Sequence, residues 1–231
     1  MDIEHNIMAI RQKIEKALEV ANRKPEEITL ISVTKNVDAE DIKSAVASGI
    51  LQLGENRVQE LLKKYDDINN VKWHLIGSLQ RNKVKYIIDK VTMIQSLDNL
   101  PLAWEINKYA SIMQLTMPVL IQVNVANEAT KSGIPYEEVI PFIESSFNLN
   151  NIRIMGLMTI APLVDDPEQV RPYFRILKQL FDELKSNNYP HVDMQYLSMG
   201  MTNDFEVALT EGSNMIRIGT GIFGKRRKVE I

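Results

Sequence analysis

The sequence predicts a single (β/α)8 barrel of the TIM type with an extra N-terminal helix. Two observations carry that prediction. Eight short apolar runs alternate with helix-like stretches, the pattern of a parallel sheet covered by helices. Polar residues and glycines gather directly after the apolar runs, where a barrel opens its functional face. With 231 residues, 45% of them hydrophobic, the chain can bury one sizeable core, and eight units sit at the compact end of the barrel range. A doubly wound open sheet is the structural alternative. No Pro/Ser-rich linker and no break in composition divides the chain. One domain is therefore expected over residues 1–231, with a helix over 1–24, a barrel over 28–224 and a basic tail over 225–231.

The first element follows from Ile3, Ile7, Ile10, Ile14, Ala17 and Leu18, spaced three and four apart on one helical face. After Pro25 a β-rich apolar run covers 28–33. A helix follows with Ile42, Ala45 and Val46 on one face, and Gly49 is its expected stop. Further apolar runs cover 50–53, 72–76, 91–97, 118–125, 152–160, 194–199 and 215–218. Helices are expected between them at 58–65, 82–88, 103–115, 137–145, 170–184 and 204–209.

Composition excludes several classes of function. The formal net charge is −3, so nothing global points to nucleic acid. The basic run Lys225-Arg226-Arg227-Lys228 reads as a solvated tail. The chain has no cysteine, which removes disulfides, thiolate metal sites and a cysteine nucleophile, and which fits a reducing compartment. The first residues mix charged and apolar side chains without an apolar core, so no signal peptide is expected. No stretch approaches the roughly 20 apolar residues of a membrane span. A cytoplasmic monomer is expected. His5, His74 and His191 have no metal-ligand spacing, so no metal is expected.

Chemistry is sought at the strand ends. Period two places Ile31, Val33 and Lys35 on one strand face, so a barrel that takes Val33 inward also takes Lys35. A lysine held there can present its amine to a carbonyl, although a lysine past a strand end can equally snorkel to solvent. Strands seven and eight end in Ser198-Met199-Gly200 and Gly219-Thr220-Gly221, the pair of loops where barrels commonly bind phosphate. Arg217 lies inside an apolar run and needs a partner, because its charge is permanent. That partner is either Glu206 or Glu211 within the fold, or a group on a ligand. Lysine, phosphate cradle and buried arginine together fit a phosphorylated aldehyde with a ring nitrogen. Glu55 and Arg57 are read as a pair within one loop, Trp104 as core, and Met155, Met158, Met199 and Met201 as barrel packing.

The motifs extend further. They include Gly54-Glu55-Asn56-Arg57, Trp73-His74-Leu75-Ile76-Gly77-Ser78, Thr130-Lys131-Ser132-Gly133, Leu197-Ser198-Met199-Gly200-Met201-Thr202-Asn203-Asp204 and Arg217-Ile218-Gly219-Thr220-Gly221. In this order they closely resemble the pyridoxal phosphate homeostasis protein family. The resemblance implies a barrel like the N-terminal domain of alanine racemase, with pyridoxal 5′-phosphate (PLP) as cofactor. It implies Lys35 as the Schiff-base lysine, Ser198, Gly200, Gly219 and Thr220 at the phosphate, and Arg217 at the pyridine nitrogen. Asn56 and His74 would lie close to the ring, and Lys131 would match a further family lysine near the site. Many relatives carry a second lysine where this chain has Val37, so a role for that lysine is in doubt here.

The implied role is PLP and vitamin B6 homeostasis, with PLP-dependent apoenzymes as candidate partners. No catalytic residue is assigned. An arginine opposite the ring nitrogen leaves it unprotonated, which weakens the ring as an electron sink. Racemases of this barrel class use a second base that the resemblance places on an added C-terminal domain. The chain ends at Ile231, with no expected room for one. His74 and Tyr196 are the internal candidates for such a base. A non-catalytic PLP carrier is therefore favoured over a small PLP-dependent amino-acid racemase. A Schiff-base aldolase acting on a sugar phosphate is the third reading.

Overall fold

The computed structural model describes residues 2–128, 131–187 and 189–224, so the basic run at 225–228 lies outside it. Helix α1, Ile3–Val20, buries the six apolar residues named above, and its N-cap Asp2 accepts from the His5 N–H. It lies on the outside of the barrel against three helices of the outer layer: α2 (Ala39–Ala47), α7 (Phe205–Thr210) and α8 (Thr220–Phe223).

Eight strands form the barrel: β1 Thr29–Val33, β2 Gln52–Glu55, β3 Lys72–Leu75, β4 Met93–Leu97, β5 Met117–Asn124, β6 Ile152–Met158, β7 Val192–Ser198 and β8 Met215–Ile218. All pairings are parallel. The order β4-β3-β2-β1-β8-β7-β6-β5 closes through β4 with β5, and a two-residue strand, Ile134–Pro135, lies beyond β5. The remaining helices are α3 Val58–Tyr65, α4 Leu100–Ile112, α5 Val139–Ser145 and α6 Arg171–Ser186. The span expected as helix at 82–88 is instead a 3-10 helix, Arg81–Tyr86. Among the described residues no helix is long and apolar enough to cross a membrane.

Local chemistry sets several boundaries. Helix α2 ends in a Schellman motif, with Gly49 at φ +85°, its N–H on the Val46 carbonyl and the Ile50 N–H on the Ala45 carbonyl. Ile50 is used up in that cap, so β2 starts at Gln52 rather than 50 and carries Glu55 into the wall. Helix α4 starts at Leu100 rather than 103 because Asn99 caps it, accepting from the Leu102 N–H at 2.9 Å, with a proline in the first turn.

The barrel has two apolar zones. Leu, Ile and Val fill the layer between strands and helices. Inside the barrel Ile31, Met93, Leu120, Met158 and Met215 form a separate cluster, with Met155 and Tyr196 against it. Met199 is buried in the outer layer, whereas Met201 is 37% exposed at the barrel mouth. Trp104 does not join the core: it is 55% exposed on α4, where Leu102, Ala103 and Ile106 take the inward positions.

Candidate functional site

The C-terminal ends of the strands open into a cavity of about 420 Å³, within the usual range for a small-molecule site. Lys35, Asn56, Lys131, Arg217, Gly219 and Thr220 line it, as do Thr202 and Asp204. Five loops from distant parts of the chain thus meet at one place.

The turn carrying Lys35 is held by a buried network. Thr34 is fully buried; its N–H donates to the Gly54 carbonyl at 3.0 Å and its hydroxyl to Glu55 Oε1 at 2.7 Å. Lys64 Nζ, from α3, donates to the same carboxylate oxygen at 2.6 Å and to the Thr34 carbonyl at 2.7 Å. The other Glu55 oxygen accepts from the Asn56 N–H at 3.2 Å. Asn36, at φ +54°, donates its N–H to Glu60 at 3.0 Å. Lys35 sits between these anchors, half-buried, facing the cavity. Glu55 therefore pairs with Lys64 and not with Arg57, which reaches Glu60 at 4.0 Å. The cause is the two-residue shift of β2, which turns Glu55 into the wall. Val37 is buried in the outer core, its N–H on the Thr34 carbonyl.

Asn56 reaches the cavity because Gly77 lies against its backbone. A Cβ at position 77 would stand 2.4 Å from the Asn56 carbonyl oxygen. Lys131 is paired with Glu128 at 2.7 Å. It also borders a second cleft of about 310 Å³, lined further by Ser78, Gln122 and Asn124 and adjoining the first through Asn56, Ile76 and Ile160.

Arg217 is buried, and neither acidic residue considered as its partner is near: Glu206 pairs with Lys13, and Glu211 with Arg171 and Arg175. Its Nη1 donates to the Ser198 hydroxyl at 2.6 Å and its Nη2 to the Thr159 carbonyl at 2.7 Å. Burial pulls its pKa down to about 10, against the pull of the Asp204 carboxylate. Burial in turn pushes the Asp204 carboxyl up, opposed by the Met201 N–H it accepts and by Arg217.

Not every residue named for the site lines the cavity. Ser198 is fully buried below the floor, its hydroxyl engaged by Arg217 and Gln95. Gly200 is a packing glycine at φ +97°: a Cβ there would meet Ala208 at 2.6 Å and the Phe205 Cα at 2.9 Å. Its carbonyl accepts from the Arg217 N–H at 3.0 Å. His74 lies inside the barrel between Gln52 and Gln95, and burial, helped by the Lys72 charge, lowers its pKa to about 4. Tyr196 packs on the interior methionine cluster. The residue that reaches the cavity from the loop after β7 is Thr202, whose Oγ1 also accepts the Gly221 N–H at 3.2 Å. Its signal in the sequence is a hydroxyl two residues past Gly200, just before the apolar run of α7. Gly219 and Thr220 start α8, whose first turn leaves main-chain N–H groups without intrahelical acceptors.

Comparison with known proteins accords with this geometry. The family described as alanine racemase, N-terminal domain, matches residues 3–227. The pyridoxal phosphate homeostasis protein of Aquifex aeolicus is 45% identical over 220 residues, 94% of this chain and 96% of that one. The chain belongs to the pyridoxal phosphate homeostasis protein family. Two solved structures share the fold closely. A structure described as an unknown protein from Bifidobacterium adolescentis superposes with a TM-score of 0.90 at 32% identity, over 96% of this chain and 94% of that one. PipY of Synechococcus elongatus, solved with PLP bound, gives 0.79 at 30% identity, over 92% of this chain and all (100%) of that one. The homeostasis family is named for a cellular balance rather than for a reaction.

Proposed function

We propose that this chain holds PLP through the Lys35 amine and serves PLP homeostasis as a non-catalytic carrier. One observation carries the reading: the Lys35 amine, the buried Arg217 and the Gly219-Thr220 turn converge on one cavity of about 420 Å³. The donor set fits PLP group by group. A primary amine meets the aldehyde. Gly219 and Thr220, joined by Thr202, offer N–H and hydroxyl donors to the phosphate. Arg217, a donor that stays charged, would hold the ring nitrogen, and Asn56, also lining the cavity, would hold the ring.

Bound PLP supplies an aldehyde that condenses with amines and a ring that withdraws electrons. The protein's own groups restrain the second property. Arg217 can donate without yielding its proton, so it would leave the ring nitrogen of bound PLP unprotonated. Neither His74 nor Tyr196 lines the cavity, so neither serves as a base for a reacting carbon. Among the described residues Lys131 is the other amine lining the cavity, and its charge is already paired with Glu128. We extend the reading to a cytoplasmic monomer that hands PLP to apoenzymes and binds neither nucleic acid nor membrane. Single-domain organisation over 1–231 belongs to the same proposal.

Titration with PLP tests this, followed by the visible band and compared with pyridoxal, which lacks the phosphate. The carrier reading expects saturable PLP binding, much weaker pyridoxal binding and no turnover of the common amino acids. Turnover lost in Lys35→Ala would replace it with the racemase reading. Equal affinity for pyridoxal would remove the phosphate assignment.

A further inference from the structure

Five polar side chains cross the barrel interior from the cavity floor to the opposite face. Arg217 Nη1 donates to Ser198 Oγ at 2.6 Å, and Ser198 donates to Gln95 Oε1 at 2.8 Å. Gln95 Nε2 stands 3.2 Å from His74 Nδ1, and His74 Nε2 stands 2.8 Å from Gln52 Oε1. Gln52 lines a separate cleft at the N-terminal ends of the strands. The five residues come from β8, β7, β4, β3 and β2, so the chain of bonds links most of the barrel wall.

The direction of donation is determined. Arginine can only donate, so Ser198 accepts from Arg217 and turns its own proton to Gln95. The Gln95 nitrogen also lies 3.2 Å from Met215 Sδ, a sulfur that can only accept, which orients the amide. His74 must then accept at Nδ1 and carry its proton on Nε2, towards Gln52. Burial keeps that imidazole neutral in this arrangement. Every bond runs the same way, and no member has a free choice of rotamer or tautomer.

We propose that Gln95 and His74, neither of which lines the cavity, are positioning residues that lock the Ser198 hydroxyl and so aim the Arg217 guanidinium at the ligand's ring nitrogen. This rests on the PLP reading above for its ligand. The physical logic is that of an outer shell: a buried donor is only as well placed as the acceptor that holds it. Ser198 alone could rotate. Ser198 bonded to an amide that is itself fixed on both sides cannot.

Three proteins test this: wild type, Gln95→Leu and Gln95→Glu. Nitrogen-15 shifts of the His74 ring are read without ligand, and the visible band of bound PLP is followed from pH 6 to 9. In wild type the ring should be the neutral Nε2–H tautomer and the band should not move with pH. Gln95→Leu removes both bonds. PLP affinity should fall by about ten-fold to a hundred-fold, the scale of a misplaced charged donor, and the band should become pH-dependent. Gln95→Glu keeps the acceptor for Ser198 but removes the donor to His74. It should retain the wild-type band profile while moving the His74 proton to Nδ1.

An Nδ1–H tautomer in wild type overturns the proposal, and that measurement stands even if a variant fails to fold. So does a Gln95→Leu protein whose affinity and band profile match wild type. If wild type binds no PLP while the tautomer is as described, the PLP reading fails and the hydrogen-bond chain does not.

Discussion

Replacing Lys64 by methionine should destabilise the fold by about 3 kcal/mol, because it strands a buried carboxylate. Glu55 has no exposed side-chain surface and Lys64 only 13%. Removing one partner of a buried pair costs roughly 3–5 kcal/mol, and the partial access of Lys64 argues for the lower end of that range. Glu55 would keep the Thr34 hydroxyl and the Asn56 N–H but lose its countercharge. For a chain of this size the expected loss is on the order of 6–12 °C in Tm. The assay is thermal and urea unfolding followed by tryptophan fluorescence, since buried Trp73 becomes exposed on unfolding. The double variant Lys64→Met/Glu55→Gln should recover much of the loss, because no unpaired charge remains. The Thr34 carbonyl also loses one of its two donors and keeps only the Val37 N–H, so PLP uptake by Lys35 should weaken in both variants. A Tm within about 2 °C of wild type, or strictly additive single variants, would refute the reasoning.

Three further outcomes follow from the same geometry. His74 has a folded pKa of about 4 against about 6.5 unfolded, so the unfolded chain binds more protons between those values. Stability should therefore fall as pH drops from 6.5 to 4, by roughly 3 kcal/mol from this group, and urea titrations of His74→Gln should lack that slope. Gly77→Ala puts a methyl 2.4 Å from the Asn56 carbonyl, so the loop must shift. Weaker PLP binding alongside lower stability is expected, and unchanged binding by absorbance titration would count against Asn56 as a cavity residue. Asn99→Ala removes the α4 cap and should cost about 1 kcal/mol in chemical unfolding without changing PLP affinity.

The barrel was legible because its strands are short apolar runs with polar ends, and the amphipathic α1 because its six buried positions fall on one face. Boundaries moved where a cap intervened. Ile50 is as apolar as any strand residue, yet the turn closed by Gly49 claims it. That single shift misplaced Glu55, since a glutamate next to an arginine in a loop reads as a surface pair. The sheet register carried it into the wall beside Lys64 instead. Trp104 shows the opposite limit: a large apolar side chain in a helix is core only if it falls on the buried stripe, and in α4 that stripe is Leu102, Ala103, Ile106 and Ala110. Within the candidate site, Lys35, Gly219 and Thr220 are suggested by strand ends, Arg217 by its place inside an apolar run and Asn56 by the family resemblance, and all five line one cavity. The contribution of the loop after β7 could not be read in this way, because Ser198 and Thr202 are both hydroxyls near a glycine. Only the path of the loop decides which of them is buried under Arg217 and which opens to the cavity.

The most direct test of the central claim is borohydride reduction of the PLP-loaded protein, followed by peptide mass mapping of wild type and Lys35→Ala. A pyridoxyl mass is expected on the peptide containing Lys35 in wild type and none in the variant, which should keep only weak, phosphate-dependent binding. A pyridoxyl mass on the Lys131 peptide of wild type, or an undiminished adduct in Lys35→Ala, would contradict it.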